Sequence, residues 1–323
     1  MKEITKINLG NNGPLVSKLG LGCMRMSAVW GGPVNNESES IATIHAALDQ
    51  GINFLNTGDF YGSGHNEMLI GKAIKDRRDE AFISVKFGAI FYNGQWIGLD
   101  LRPIAIKNFI NYSLVRLGIE TIDLYQPCRM DNSVPMEDII GTVADLIKEG
   151  KVRHLGVSEI TTDQLRQANS IHPVTALEIG YSLADRQIET DLLPTARELG
   201  IGVVAFANTA EGLLTGEMNA PLPAGSYHNH FSRFQGENLI RNLEKVETLK
   251  RIAKEKGCSP TQLAIAWVNA QGDHIMPLVS MSRRSRLPEN IAAMEIEFSP
   301  AELHELDAEF SIGAILGGTY LQR

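Results

Sequence analysis

An α/β fold of the (β/α)8 TIM-barrel type is predicted by three features of the 323-residue sequence. Eight apolar runs of strand length are spread along it, segments of helical period follow the early ones, and the runs are apolar at nearly every residue. Continuously apolar strands belong to a parallel sheet covered by helices. Eight of them in about 300 residues suggest closure into a barrel, with a doubly wound sheet as the weaker alternative.

The first strand is read in LGLGCM (19–24), ahead of an amphipathic stretch from Ser38 to Gln50. INFLNT (52–57) precedes Asn66 to Lys75, FISVKFG (82–88) precedes Ile104 to Leu117, and IDLYQP (122–127) precedes Met136 to Glu149. VRHLGVS (152–158), VTALEIGY (174–181), IGVVAFA (201–207) and IMPLVSM (275–281) complete the series. Gly51, Gly118, Gly150 and Gly200 follow the helical stretches, where a left-handed cap needs a residue without Cβ. Ser299 and Glu302, ahead of Leu303 and Leu306, fit a capping box that opens an extra C-terminal helix. Thr209 to Gly236 is irregular, a long loop after the seventh strand that would overhang the barrel mouth. With no linker, low-complexity segment or internal repeat, residues 1–323 are read as a single domain.

Composition narrows the function classes. The net charge of −8 opposes a broad electrostatic hold on nucleic acid or on an anionic membrane, so the expected partner is a small-molecule substrate. Met1 to Gly10 has neither an apolar leader core nor a cleavage site, and no later run reaches the length of a membrane span; a cytoplasmic protein is expected. Cys23, Cys128 and Cys258 lie far apart without CxxC spacing, which indicates reduced thiols in place of a disulfide framework or zinc site.

In a (β/α)8 barrel the active site is built at the C-terminal ends of the strands, so the strand map nominates residues directly. They are Asn56, Asp59 and Tyr61 after strand two, Lys86 on strand three, Cys128 and Arg129 after strand four, and Ser158 and Glu159 after strand five. Glu178 and Tyr181 end strand six, Asn208 and Glu211 follow strand seven, and Ser282 to Arg286 follow strand eight. Lys86 carries the strongest signal, because an ammonium inside the apolar run ISVKFG is costly unless paired or functional. A tyrosine within reach of it would have its phenolate favoured, making Tyr61 a usable proton donor. Cys128 reads either as an inert small hydrophobe or, beside a lysine and an arginine, as a partly ionised thiol. A metal on Cys128, Glu159 and Glu178 is set aside, since no histidine sits at a strand end. His228 and His230 in the long loop are read as solvated or substrate-contacting, and Trp30, Phe91 and Trp96 as pocket-lining or packing residues.

GINFLNTGDFYGSGHNEMLIGKAI (51–74) resembles the aldo-keto reductase signature around its catalytic tyrosine, and the similarity runs essentially end to end. SVKFG (84–88), IDLYQP (122–127), KEGKVRHLGVS (148–158), YSLADR (181–186), RFQGEN (233–238) and RLPEN (286–290) also match. The resemblance implies an NADPH-dependent carbonyl reductase with an Asp, Tyr, Lys and His tetrad. It makes Tyr61 the proton donor and Lys86 the lysine that lowers its pKa. Asn56 stands where the tetrad aspartate is expected and Cys128 where the histidine is. The asparagine expected at the nicotinamide carboxamide, after Ser158, is Glu159, and the strand-six glutamine is Glu178. The pyrophosphate-straddling loop reads Ala207, Asn208, Thr209, Ala210 in place of Ser-Pro-Leu-Gly. Ser282, Arg283, Arg286, Glu289 and Asn290 occupy the segment expected to hold the adenosine end of NADP(H), the last three matching the residues for its 2′-phosphate and adenine.

These departures carry physical expectations. Without the aspartate, Lys86 should lose electrostatic support and its pKa should fall, leaving it poised to lose its proton. A thiol at 128 donates a weaker hydrogen bond than imidazole, so simple ketone reduction should be slow. Glu159 and Glu178 would set carboxylates beside the cofactor ring, favouring its oxidised form if ionised; either acid could instead be protonated or pair with Lys86. Three readings stay open: an NADP(H) oxidoreductase with a remodelled site for a carbonyl, imine or activated enone; a non-redox lyase or isomerase using Lys86, Tyr61, Glu159, Glu178 or Cys128; and a dinucleotide-binding or scaffold protein without turnover.

Overall fold

The computed structural model describes residues 4–27 and 36–319. In chain order they form β1 (Lys6–Asn8), β2 (Leu15–Ser17), β3 (Gly20–Gly22), α1 (Glu37–Asp49), β4 (Phe54–Gly58), α2 (His65–Ile74), β5 (Phe82–Phe87), β6 (Ala89–Tyr92), β7 (Gln95–Leu99) and α3 (Pro103–Leu117). There follow β8 (Ile122–Pro127), α4 (Met136–Lys148), β9 (Val152–Ser158), α5 (Thr162–Ile171), β10 (Ala176–Gly180), α6 (Leu192–Glu198) and β11 (Gly202–Phe206). The chain ends with α7 (Gly236–Lys256), α8 (Pro260–Ala270), β12 (Ile275–Ser280), α9 (Leu287–Ala293) and α10 (Pro300–Glu309).

The eight runs read as strands are β3, β4, β5, β8, β9, β10, β11 and β12, paired in parallel in chain order and closed on themselves. Closure decides against the doubly wound alternative. Gly51, Gly118, Gly150 and Gly200 all take positive φ at helix ends, and the Ser299 hydroxyl accepts from Glu302 N while the Glu302 side chain returns to Ser299 N, opening α10. No helix among the described residues is long and apolar enough to cross a membrane.

Two hairpins were not expected. The β1–β2 ribbon closes the bottom of the barrel: Leu9 and Val16 are fully buried and pack with the lumen residues Phe54, Phe82, Leu124, Ala176, Val204, Met276 and Leu278. The β6–β7 ribbon follows strand β5 at the mouth, turning at Asn93 and Gly94, both at positive φ. Asn-Gly between apolar residues is a strong two-residue hairpin signal, so this element was legible in YNGQ.

The long segment after β11 is not an open loop. It folds into short 3₁₀ turns at Ala210–Thr215, Tyr227–His230 and Ser232–Phe234. Its anchor is Arg233, whose fully buried guanidinium donates to both carboxylate oxygens of Asp185 at 2.8 and 2.6 Å. YSLADR and RFQGEN thus meet in space as the two halves of one ion pair.

Candidate active site

Side chains two apart on a strand share a face, so each barrel strand stacks its lumen residues in layers. Phe82, Ser84 and Lys86 are one such column on β5; Phe54 and Asn56 form another on β4, Leu124 and Gln126 on β8, and Ala176 and Glu178 on β10. The first residue of each column lies in the apolar floor. Above it comes a polar layer of Asn56, Ser84, Gln126 and Glu178, all buried, and above that Lys86.

This layer is one hydrogen-bonded unit. Lys86 Nζ donates to Glu178 Oε1 at 2.7 Å and to Asn56 Oδ1 at 2.6 Å. Glu178 Oε2 accepts from Asn56 Nδ2 at 2.7 Å and from Gln126 Nε2, and Ser84 Oγ accepts from both of those amides at 3.2 Å. The expectation that Lys86 would be poised to lose its proton is therefore overturned. Burial by itself pushes the lysine down, but the Glu178 carboxylate and the adjacent Tyr61 outweigh it and hold its pKa above the usual lysine range. Of the alternatives open for Glu178, pairing with Lys86 is the one observed, and both of its oxygens are committed inside the barrel.

Tyr61 is delivered to the mouth by the turn that follows β4. Gly62, Ser63 and Gly64 all take positive φ, which explains the GSG composition. Thr57 Oγ1 donates to Asn66 Oδ1, and Asn66 Nδ2 to the Cys23 carbonyl, both at buried sites, which locks the turn to β4. The Tyr61 ring centroid lies 5.3 Å from Lys86 Nζ, and Phe60 packs edge-on against it at 4.8 Å. Proximity to Lys86 does not lower the Tyr61 pKa as expected. Burial raises it, Lys86 opposes this, and Glu178 adds to the rise.

Cys128 ends its column beside Asp59 and Lys86. Burial, then Asp59, push its thiol up to about 12, so the ionised-thiol alternative gives way to a neutral buried thiol. Asp59 itself is buried and held well above the usual carboxylate range, chiefly by burial and by Glu67. Tyr181, nominated at the end of strand six, faces the helical layer instead: its hydroxyl donates to Glu189 at 2.8 Å and its ring packs against Trp267.

Glu159 holds a left-handed backbone (φ 51°), a conformation that asparagine tolerates better than glutamate. Its Oε1 accepts from Gly180 N at 3.0 Å and its Oε2 lies 3.8 Å from Arg129 Nη1; burial raises its pKa. The two glutamates thus have separate partners.

The candidate dinucleotide residues surround one side of the mouth. Ser158 and Asn208 are buried, and Asn208 Oδ1 has no hydrogen-bond partner although Nδ2 donates to Tyr181 O and Ala205 O. Ala207, Ala210, Glu211 and Gly212 take positive φ, and within this turn Ala210 N donates to Ala207 O at 2.8 Å and Gly212 N to Thr209 O at 3.0 Å. Ser282 is half-buried, Arg283 and Arg286 are exposed, and Asn290 is buried. Arg286 Nη1 lies 3.3 Å from Glu289 Oε2 and its Nη2 3.7 Å from Glu217 of the long loop. Exposed guanidinium groups near a buried amide in sequence are chemically suited to a phosphorylated adenosine. The nicotinamide end fits less closely, because Glu159 is turned to Gly180 and Arg129.

His228 is half-buried, its Nε2 donates to Glu211 O at 2.8 Å and its ring packs edge-on against Phe234, whereas His230 is exposed. Phe91 stacks on Phe60 at 5.5 Å with Trp96 edge-on to it, so the β6–β7 hairpin extends an aromatic row from Tyr61; Trp30 lies outside the described residues. Ser84 and Gln126 were missed in the sequence. Their signal was parity: each is a polar residue in an apolar run, two positions before Lys86 or Cys128.

Comparison with known proteins agrees in one direction. The family model "Aldo/keto reductase family" matches residues 18–309. A soybean (Glycine max) protein described as probable aldo-keto reductase 1 is 37% identical over 320 residues, 98% of this chain and 92% of its own. Among solved structures, a glycerol dehydrogenase from Gluconobacter oxydans superposes with a TM-score of 0.87 at 26% identity, covering 97% of each chain. An aldo-keto reductase from Bacillus halodurans, in its holo form, gives 0.77 at 27% identity over 99% of each.

Proposed function

From the premise that this chain belongs to the aldo/keto reductase family of oxidoreductases, we propose that it is an NADP(H)-dependent enzyme acting on a small carbonyl, imine or activated enone through a remodelled tetrad. The observation that carries the reading is the buried Lys86 ammonium, ion-paired to Glu178 at 2.7 Å and set against the Tyr61 ring at the barrel mouth. The nicotinamide, when bound, supplies or accepts hydride. Arg286, Arg283 and Ser282 would hold its 2′-phosphate, Glu289 and Asn290 its adenine, and the Ala207–Ala210 loop its pyrophosphate, with Ser158 and Glu159 at the carboxamide.

The remaining chemistry belongs to the side chains. Tyr61 gives its hydroxyl proton to the carbonyl oxygen or imine nitrogen of the substrate as negative charge grows there, and Lys86 stabilises the phenolate left behind. Glu178 and Asn56 keep Lys86 cationic and in place. Cys128, neutral and a weak donor, adds little polarisation, which favours substrates that are already activated. The non-redox alternative is weakened on three counts: Lys86 is held as ammonium, Cys128 as thiol, and Glu178 is committed to both amides and the lysine.

Titrating cofactor-free protein with NADPH and with NADP+ up to about 1 mM, followed by tryptophan fluorescence, tests the reading. Saturable binding and turnover of at least one member of an aldehyde, enone and imine panel are expected. Absence of binding by both forms overturns it.

A further inference from the structure

The buried ammonium of Lys86 needs one carboxylate, and the lumen supplies it from strand β10 across the barrel from where the sequence leads one to look. Asn56 and Glu178 are in contact through Asn56 Nδ2 and Glu178 Oε2 at 2.7 Å, and each also touches Lys86 Nζ, at 2.6 and 2.7 Å. One member of the contact is a neutral amide and the other an acid, and both positions lie equally close to the ammonium. Moving the charge from 178 to 56 would therefore leave the lysine paired. We propose that Asn56 and Glu178 form an exchangeable pair in which Glu178 is the positioning residue for Lys86, so that the carboxylate serving Lys86 can stand on strand β10 or on strand β4 of the same polar layer.

The layer can absorb the exchange with the loss of one hydrogen bond, that from Gln126 to Ser84. With aspartate at 56 and glutamine at 178, the amide-to-carboxylate bond between them persists with donor and acceptor reversed. Lys86 still donates to one oxygen of each. Gln126, whose Oε1 has no hydrogen-bond partner, can turn its amide over to accept from glutamine at 178. The Ser84 hydroxyl, which accepts from Asn56 and Gln126, can then donate to aspartate at 56. Either single change breaks this reciprocity: Glu178→Gln leaves Lys86 without a carboxylate, and Asn56→Asp sets two carboxyl groups edge to edge.

The inference rests on the oxidoreductase reading for its kinetic readout, and the experiment separates the two. Wild type, Asn56→Asp, Glu178→Gln and the double variant are compared in kcat, in KM for NADPH and in urea-unfolding midpoint. Expected is a loss in kcat of about 100-fold or more for Glu178→Gln with KM for NADPH little changed, and recovery to within about tenfold of wild type in the double variant. A double variant as slow as Glu178→Gln, or a loss confined to KM for NADPH, overturns the proposal and makes Glu178 a direct cofactor contact. Should wild type turn over no member of the aldehyde, enone and imine panel, the oxidoreductase reading fails but the pair is still judged: the double variant must unfold at a higher urea concentration than either single. A midpoint no higher than that of the better single overturns the exchange.

Discussion

Replacing Asn56 by aspartate places a carboxyl oxygen where Nδ2 now sits, 2.7 Å from Glu178 Oε2, while the other oxygen stays 2.6 Å from Lys86 Nζ. At an effective dielectric constant of about 20, repulsion from Glu178 and attraction to Lys86 are each about 6 kcal/mol and nearly cancel. What remains is the desolvation of a second ionised carboxylate at a site only 3% exposed, which is several kcal/mol. Keeping one proton on the pair at neutral pH instead costs at most about 4 kcal/mol, roughly 3 pH units at about 1.4 kcal/mol each, so the variant folds with a shared proton. The folded state then binds one proton more than the unfolded chain, and stability must fall as pH rises. Asn56→Asp should be less stable than wild type by up to about 4 kcal/mol near pH 7, the gap shrinking by about 1.4 kcal/mol per pH unit on acidification towards about pH 4. Urea unfolding of both proteins across that range reads the gap directly. A gap independent of pH, or one that widens on acidification, would mean that the aspartate is ionised and has captured Lys86, and the reasoning fails.

The remaining predictions concern the proton donor, the cofactor and the fold. Tyr61→Phe should lower turnover about 10²- to 10⁴-fold with NADPH binding retained, as read by fluorescence titration; equal loss of binding would place Tyr61 elsewhere. Because burial raises the Tyr61 pKa, the hydroxyl stays protonated further into alkali: carbonyl reduction should hold past about pH 10 before falling, while alcohol oxidation, which needs the phenolate, climbs over the same range. Arg286→Ala should weaken NADPH about 10- to 100-fold while sparing NADH, in line with the loss of a charged hydrogen bond to the 2′-phosphate; equal loss for both would contradict that assignment. Asp185→Asn removes the carboxylate to which both arms of the fully buried Arg233 guanidinium donate, leaving Glu211 at 3.9 Å, and should destabilise the protein by about 3 kcal/mol, measured as a fall in urea midpoint.

Strand number and order were written in the sequence because a parallel barrel strand is buried on both faces and reads as a near-continuous apolar run; IDLYQP and VRHLGVS match β8 and β9 residue for residue, while the other six runs differ from their strands by one or two residues at one or both ends. The same burial made Lys86 conspicuous, and the turn glycines around Tyr61 marked the mouth. The Asn-Gly turn of the β6–β7 hairpin was equally legible but lay where a loop was expected. The partner of Lys86 was not decided by local sequence, since Glu178 is 92 residues away and meets it only when the barrel closes. Nor could sequence alone rank burial against the neighbouring charges, which run in opposite directions for Lys86 and Tyr61: the ammonium is kept charged by Glu178 and Tyr61, while desolvation raises the phenol despite Lys86. Period and propensity act between near neighbours and so are read from the chain, whereas electrostatics across a lumen depends on distances that closure alone sets.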